Sequence, residues 1–350
     1  VEGKRLTRQQ KIPGIESADL AFSRLADLGL MTTRQLADFQ DATGLADLSW
    51  RAFWNKSTLH EADGNYRAMM RRMHGFVIFM HGWNGTRDIW EHLPALVCAA
   101  NPRLVSLVPD LNGFGGSPFL ADVPALEQCS PSAVMQSVVR WVDMLGLRSS
   151  PRAQRRRRVI TFVGHSTGGA ALFYFGPKWR SNEFSRCAVA PTLLVEQEIR
   201  QQFYRALGLA AGEEKPRLTP RVLERMIGDV CDVTREEQLD VFKTTPMGTL
   251  TQSLYALTTL SDNLRQGPWR NFRVILAHDD HLLKVSPMLN LLDDLEFASN
   301  QVQVVWGDHY LFSAGSVNRR VHLRNHEVVL GEILHLHELC RERQASVGIG

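Results

Sequence analysis

The chain has 350 residues, 44% hydrophobic and 22% charged, which is an ordinary globular composition and too long for one minimal core. Its 40 basic and 37 acidic residues leave a formal charge of +3, so no global field draws it onto nucleic acid or an anionic membrane. The expected partner is a small molecule or peptide. Five cysteines (Cys98, Cys129, Cys187, Cys231, Cys340), odd in number and without a Cys-x-x-Cys pair, suggest neither a disulfide framework nor a zinc site. No apolar run reaches the length of a membrane span, and the opening VEGKRLTRQQ lacks the apolar core of a signal peptide. The expectation is a soluble, cytoplasmic protein with no membrane partner.

Residues 1–70 read as an N-terminal extension, helix-like over Ala18 to Thr43, with a Trp-rich segment near Trp50 and Trp54 that could supply edge strands. From about residue 75, short β-rich runs alternate with helix-length amphipathic segments, the pattern of a largely parallel sheet with helices on its faces. Candidate strands are Phe76 to Met80, Leu104 to Val108, Val159 to Val163, Cys187 to Ala190, Val274 to Ala277 and Val302 to Trp306. Ser130 followed by Pro131 announces a helix that continues to about Leu145, an N-cap serine with proline at the first helical position. Residues 192–269 carry helical patterns (Glu196 to Leu209, Pro220 to Val230, Arg235 to Phe242, Thr249 to Leu264) separated by Gly and Pro. A strand-to-helix connection needs only a few residues, so this stretch is expected to be a helical cap inserted into a core made of 71–191 and 270–350. The chain closes with a helical pattern over His322 to Arg343. The block Arg155 to Arg158 has no interleaved aromatics and reads as a solvated loop before a strand.

Chemistry concentrates at the strand ends. Gly164-His165-Ser166-Thr167-Gly168 follows the third strand and leads into an Ala-rich segment. A serine on a sharp strand-to-helix turn takes strained backbone angles, and side chains two residues before and after it would collide with adjacent chain; glycine at 164 and 168 removes those collisions. The backbone N–H of Thr167, opening the next helix, faces the same space and suits an oxyanion. A second donor is expected from the loop after the first strand, His81-Gly82-Trp83, where the Trp83 N–H is the candidate and His81 is a structural hydrogen-bonding group.

These residues resemble the α/β-hydrolase fold superfamily, most closely its cap-bearing esterases and related serine hydrolases. The resemblance rests on His81-Gly82-Trp83, on Asp110 to Ser117 (DLNGFGGS), on Gly164 to Gly168 and on Gly307-Asp308-His309, in that order from residue 75 to about 345. It implies a mostly parallel, doubly wound sheet with an inserted helical cap and a nucleophile–acid–histidine chain order. The histidine is then His309, past the last strand and in the Gly-Asp-His pattern. His322, His326, His335 and His337 fall on the terminal helix, and an i,i+2 pair such as His335 and His337 diverges there, which disfavours a metal reading. The acid should follow Val274 to Ala277, where Asp279 and Asp280 both stand; the family's spacing favours Asp280, three residues past Ala277 with Leu282 two beyond it. Glu196 and Glu198 are an alternative acid location. The run His278-Asp279-Asp280-His281 lacks a further cluster to suggest a metal, and the family needs neither metal nor cofactor.

The expected function is a serine hydrolase cleaving an ester-like bond, carboxylic ester or lactone, of a small apolar substrate. An acyltransferase with the same triad and a ligand-binding module with little turnover are the alternatives, since one scaffold hosts many chemistries. Composition fixes neither substrate nor oligomeric state.

Overall fold

The structure, a computed structural model, describes residues 12–64, 66–148, 158–175, 183–209, 217–226, 232–259, 264, 269–312 and 319–346. Eight strands form one sheet: β1 (Ile15–Ala21), β2 (Ser49–Asn55), β3 (Gly75–Met80), β4 (Leu104–Pro109), β5 (Val159–His165), β6 (Phe184–Val189), β7 (Phe272–Ala277) and β8 (Val302–Val305). Their order is β1-β2-β4-β3-β5-β6-β7-β8. The pairings from β4 through β8 are parallel, whereas β2 joins β1 and β4 antiparallel. After β3 the chain adds β4 on one side and β5 on the other, so the carboxyl ends of β3 and β5 flank a topological switch point, where open α/β sheets place ligands.

The strands β3, β4, β5 and β6 are buried at every residue, as parallel strands covered on both faces require. All six strands expected from the sequence form, with ends shifted by up to three residues. The N-terminal reading needs one correction. Ala18 to Ala21 belong to β1, not to a helix, and the helices there run over Phe22–Asp27 and Thr33–Thr43. The segment pairs in unbroken register with β2, from Ile15 opposite Asn55 to Ala21 opposite Ser49, and that ladder overrides a weak local helical preference. The Trp-rich segment is β2. Phe22 meets Phe39 and Trp50 edge-on at 4.9 and 5.4 Å between ring centres, and Trp50 lies 5.5 Å from Trp141 on the helix Pro131–Met144. Residues 12–64 therefore share the core of the sheet.

Between β6 and β7 stand the helices Gln197–Leu207, Pro220–Met226, Asp232–Thr244 and Met247–Thr259. Residues 155–157, 227–230, Cys231 and 260–263 of the expected spans lie outside the described residues, as does the side chain of His322. Arg158, the described end of the basic block, sets its guanidinium 5.7 Å above the Phe76 ring. The terminal helix Arg319–Ser346 packs across β5 and β6; on it His335 is exposed and His337 is buried, so the two diverge. The described cysteines Cys98, Cys129, Cys187 and Cys340 are buried free thiols. No helix among the described residues is long and apolar enough to cross a membrane.

Candidate active site

Ser166 follows β5 with φ 53° and ψ −116°, a left-handed backbone that a β-substituted residue adopts only when the surroundings enforce it. The surroundings are tight. A Cβ at Gly164 would fall 2.2 Å from the Gly168 carbonyl oxygen, and one at Gly168 would fall 2.4 Å from that of Met80. On the far side of the serine, a Cβ at Gly82 would come within 2.8 Å of the Ser166 Cβ. The helix that follows, Thr167–Ala171, is a short one.

The turn holds the Ser166 hydroxyl 2.9 Å from His309 Nε2. His309 Nδ1 lies 2.7 Å from Asp280 Oδ2, and the other carboxylate oxygen of Asp280 accepts the N–H groups of Leu282 and Leu283 at 2.8 and 2.9 Å. A carboxylate only accepts, so Nδ1 carries the imidazole proton and Nε2 is left to accept from the serine. Burial opposes the charge on Asp280, but His309 and the loop amides outweigh it and hold its carboxyl below the usual range. Both members of this pair are buried. Asp279 points away into solvent and pairs with its neighbour His278 at 2.8 Å, while His281 Nε2 donates to the Arg225 carbonyl. The four side chains of the His-Asp-Asp-His run thus face different partners. Glu196 sits at the start of the helix Gln197–Leu207, where partial burial, Asp294 and Glu198 raise its pKa; Glu198 lies on the exposed first turn. Asp308 is occupied by the Tyr310 N–H.

Two further elements close around Ser166. The Trp83 indole N–H donates to Ser253 Oγ at 3.0 Å and the Leu250 carbonyl at 3.2 Å, pinning the loop after β3 to the helix Met247–Thr259. Among the described residues no hydrogen bond engages the backbone N–H of Trp83 or of Thr167. His81 is buried and depressed in pKa by that burial; it accepts the Leu111 N–H at Nε2 and donates from Nδ1 to the Gly82 carbonyl, coupling the exits of β3 and β4. The exit of β4 is itself tied to the N-terminal strands: Asp110 accepts the N–H groups of Arg87 and Gly116, and Ser49 of β2 receives Arg87 at its hydroxyl and gives its N–H to Ser117. Residues 12–64 thereby brace the loops that approach the serine.

The sequence reading missed Thr192. Its hydroxyl lies 2.8 Å from Ser166 Oγ, and its N–H donates to the Ser166 carbonyl at 3.1 Å. Because the serine proton is directed to His309, Thr192 is the donor in the first of these contacts. His165, also unremarked, donates from Nε2 to the His309 carbonyl, and burial followed by the nearby His309 lowers its pKa to about 3. It is a neutral wedge behind the His309 imidazole.

This sheet order, with Ser166 at the exit of β5, a buried aspartate after β7 and a histidine loop after β8, defines a class. The model of the alpha/beta hydrolase family matches residues 77–329, and the chain belongs to that family. No curated protein sequence matches it. Among solved structures, a thermophilic esterase from Thermogutta terrifontis aligns with a TM-score of 0.51 at 16% identity, covering 83% of this chain and 94% of that one. An esterase from Exiguobacterium antarcticum aligns at 0.50 and 11%, covering 75% and 92%. The bottromycin epimerase BotH also aligns, at 0.50 and 16%, covering 82% and 95%. At these identities the likeness establishes a shared fold.

Proposed function

We propose that the protein is a serine hydrolase that cleaves an ester-like bond, a carboxylic ester or lactone, of a small and mostly apolar substrate. The observation that carries this reading is the unbroken path from Ser166 Oγ through His309 to Asp280, at 2.9 and 2.7 Å. Ser166 attacks the carbonyl carbon while His309 takes its proton. Asp280 stabilises the imidazolium, and the backbone N–H groups of Trp83 and Thr167 receive the oxyanion. His309 then returns the proton to the departing alkoxide, leaving an acyl group on Ser166. Water, deprotonated by the same imidazole, releases the acid. The chemistry draws on side chains and backbone donors alone, and the helices of 192–269 act as a cap over it.

The test is labelling by a fluorophosphonate, with the modified residue located by mass spectrometry, alongside turnover of a chromogenic short-chain ester with and without a competing alcohol. Labelling at Ser166 with acid release is the expected result. Release of a new ester in place of the acid moves the reading to acyl transfer, and neither labelling nor turnover removes it.

A further inference from the structure

The loop after β3 is held from two sides by consecutive residues. On the sheet side stands Gly82, where a Cβ would fall 2.8 Å from the Ser166 Cβ, so its backbone lies directly against the serine turn. On the other side Trp83 reaches the inserted helix Met247–Thr259, its indole N–H 3.0 Å from Ser253 Oγ and 3.2 Å from the Leu250 carbonyl. An indole nitrogen only donates, and the Ser253 hydroxyl directs its own proton to the Thr249 carbonyl at 2.6 Å, so the serine oxygen is the acceptor of the pair. The next residue reaches a second inserted helix: Asn84 Nδ2 donates to the Gln238 backbone carbonyl of Asp232–Thr244 at 3.0 Å.

The helix that takes the indole is itself seated on the core. A Cβ at Gly248 would fall 2.4 Å from the Asp122 carbonyl oxygen, and one at Gly113, in the loop after β4, would fall 2.5 Å from Thr249 Cγ2. Leu250, Leu254 and Leu257 are buried along one face of the helix. Ser166, Gly82, Trp83 and Ser253 thus form one chain of contacts, in which the Trp83 backbone N–H, the donor proposed for the oxyanion, is fixed from both ends.

We propose that Ser253 is a positioning residue that sets this donor through the Trp83 indole, so that ester cleavage depends on the inserted helix being seated. The inference rests on the ester-hydrolase reading and adds to it a control of the site by the insert. Negative charge gathers on the substrate oxygen only as Ser166 attacks, so a displaced donor costs transition-state stabilisation and leaves ground-state binding alone. The loss then appears in kcat with KM unchanged.

The experiment uses the full chain and breaks the contact from each side, with Trp83→Phe, which loses both acceptors, and with Ser253→Ala, which keeps the Leu250 carbonyl. Each variant is measured for kcat and KM on a chromogenic short-chain ester, and for binding of a short-chain alkyl trifluoromethyl ketone and of the alcohol with the same carbon skeleton. Ser166 Oγ adds to the ketone carbon, the carbonyl electrons pass to its oxygen and the serine proton to His309, so ketone affinity reads the oxyanion donors. The alcohol reads the pocket without them. The expected fall in kcat and in the preference for ketone over alcohol is about tenfold in Trp83→Phe and about threefold in Ser253→Ala, the scale of one or two neutral hydrogen bonds. Alcohol binding and KM stay as in the wild type. A preference that survives both substitutions, or ketone and alcohol weakened alike, overturns the positioning role and leaves the hydrolase reading in place. So does failure of both variants to fold, which makes the bond a strut of the insert; where only one folds, that one decides. A wild type that neither turns over the ester nor favours the ketone removes the hydrolase reading and the positioning role together.

Discussion

The neighbouring strands β5 and β6 leave the sheet in similar ways and are very differently written in the sequence. Ser166 after β5 has φ 53°, and Ala190 after β6 has φ 42°, both in the region that favours glycine. The two exits then lean on each other: Ser166 donates its N–H to the Val189 carbonyl, and Thr192 returns its N–H to the Ser166 carbonyl. The first exit is announced by glycines because its helix doubles back onto the strand and onto the exit of β3, leaving no room for Cβ atoms. The second is a plain Ala-Pro-Thr, since its crowding is relieved from the other side, at Gly169, where a Cβ would come within 3.1 Å of the Pro191 Cα. Strain marks both turns. Only one advertises itself.

The largest effects should come from breaking the β5 exit and the side chains aimed at it. Ser166→Ala is expected to lower ester turnover by at least about 10⁴-fold with an unchanged melting temperature. Asp280→Asn, which keeps shape but loses the charge opposite Nδ1, should lose about 10⁴-fold. Asp279→Asn, changing an exposed carboxylate that faces His278, should cost less than about tenfold, or 1.4 kcal/mol of barrier. Rates of all three on one ester check the set, and the reverse ranking of the two aspartates would overturn the triad.

What the sequence disclosed follows the same division. The strands and the candidate serine, histidine and acid could be named because each depends on local chemistry: an apolar run, a glycine where a Cβ would collide, a carboxylate at fixed distance from a strand end. Of residues 12–64 only the Trp-rich strand near Trp50 and Trp54 was readable; their bracing of the site was not, because it lies in contacts such as Ser49 with Ser117 and Arg87, which join positions far apart in the chain. Thr192 escaped for the same reason. Nothing in Pro191-Thr192-Leu193 distinguishes a hydroxyl that touches Ser166 from an ordinary loop threonine until β6 is set beside β5.

The β5 exit also carries an acid sensitivity. With its pKa lowered to about 3, His165 stays neutral in the fold while in the unfolded chain it protonates near 6.5. Between those values the unfolded state binds the extra proton, so stability falls as pH drops from about 6.5 toward 3, at a limit of about 1.4 kcal/mol per pH unit for this one group. From pH 7 to pH 5 its share is about 2 kcal/mol. Urea midpoints at the two pH values, in the wild type and in His165→Gln, isolate it; an equal slope in both proteins would show that other groups carry the dependence.

A smaller effect is expected where the β6 exit touches the chemistry. Thr192→Val preserves shape and removes the donor to Ser166 Oγ, an oxygen that in the proposed reaction gathers charge as it attacks and again as it departs from the acyl group. Loss of one neutral hydrogen bond of this kind amounts to about 0.5–1.5 kcal/mol, so kcat should fall by about three- to tenfold. Thr192→Ser should recover most of it. A valine variant as active as the parent, or a serine variant as impaired as valine, would make Thr192 a packing residue.

The smallest effect tests the strain itself. Replacing a buried alanine by glycine ordinarily destabilises, through the lost methyl and through the greater freedom of glycine in the unfolded chain, each on the order of 1 kcal/mol. Ala188, inside β6 and fully buried, should show that cost undiminished. At Ala190 the same exchange also relieves a left-handed backbone, worth about 1–2 kcal/mol for a residue with a Cβ. The methyl there borders an apolar cavity between the ends of β6 and β7, so less packing is lost with it. Ala190→Gly should therefore be milder than Ala188→Gly by about 1 kcal/mol or more in chemical denaturation. If the two cost the same, the bend after β6 stores no strain, and its likeness to the serine turn is one of shape alone.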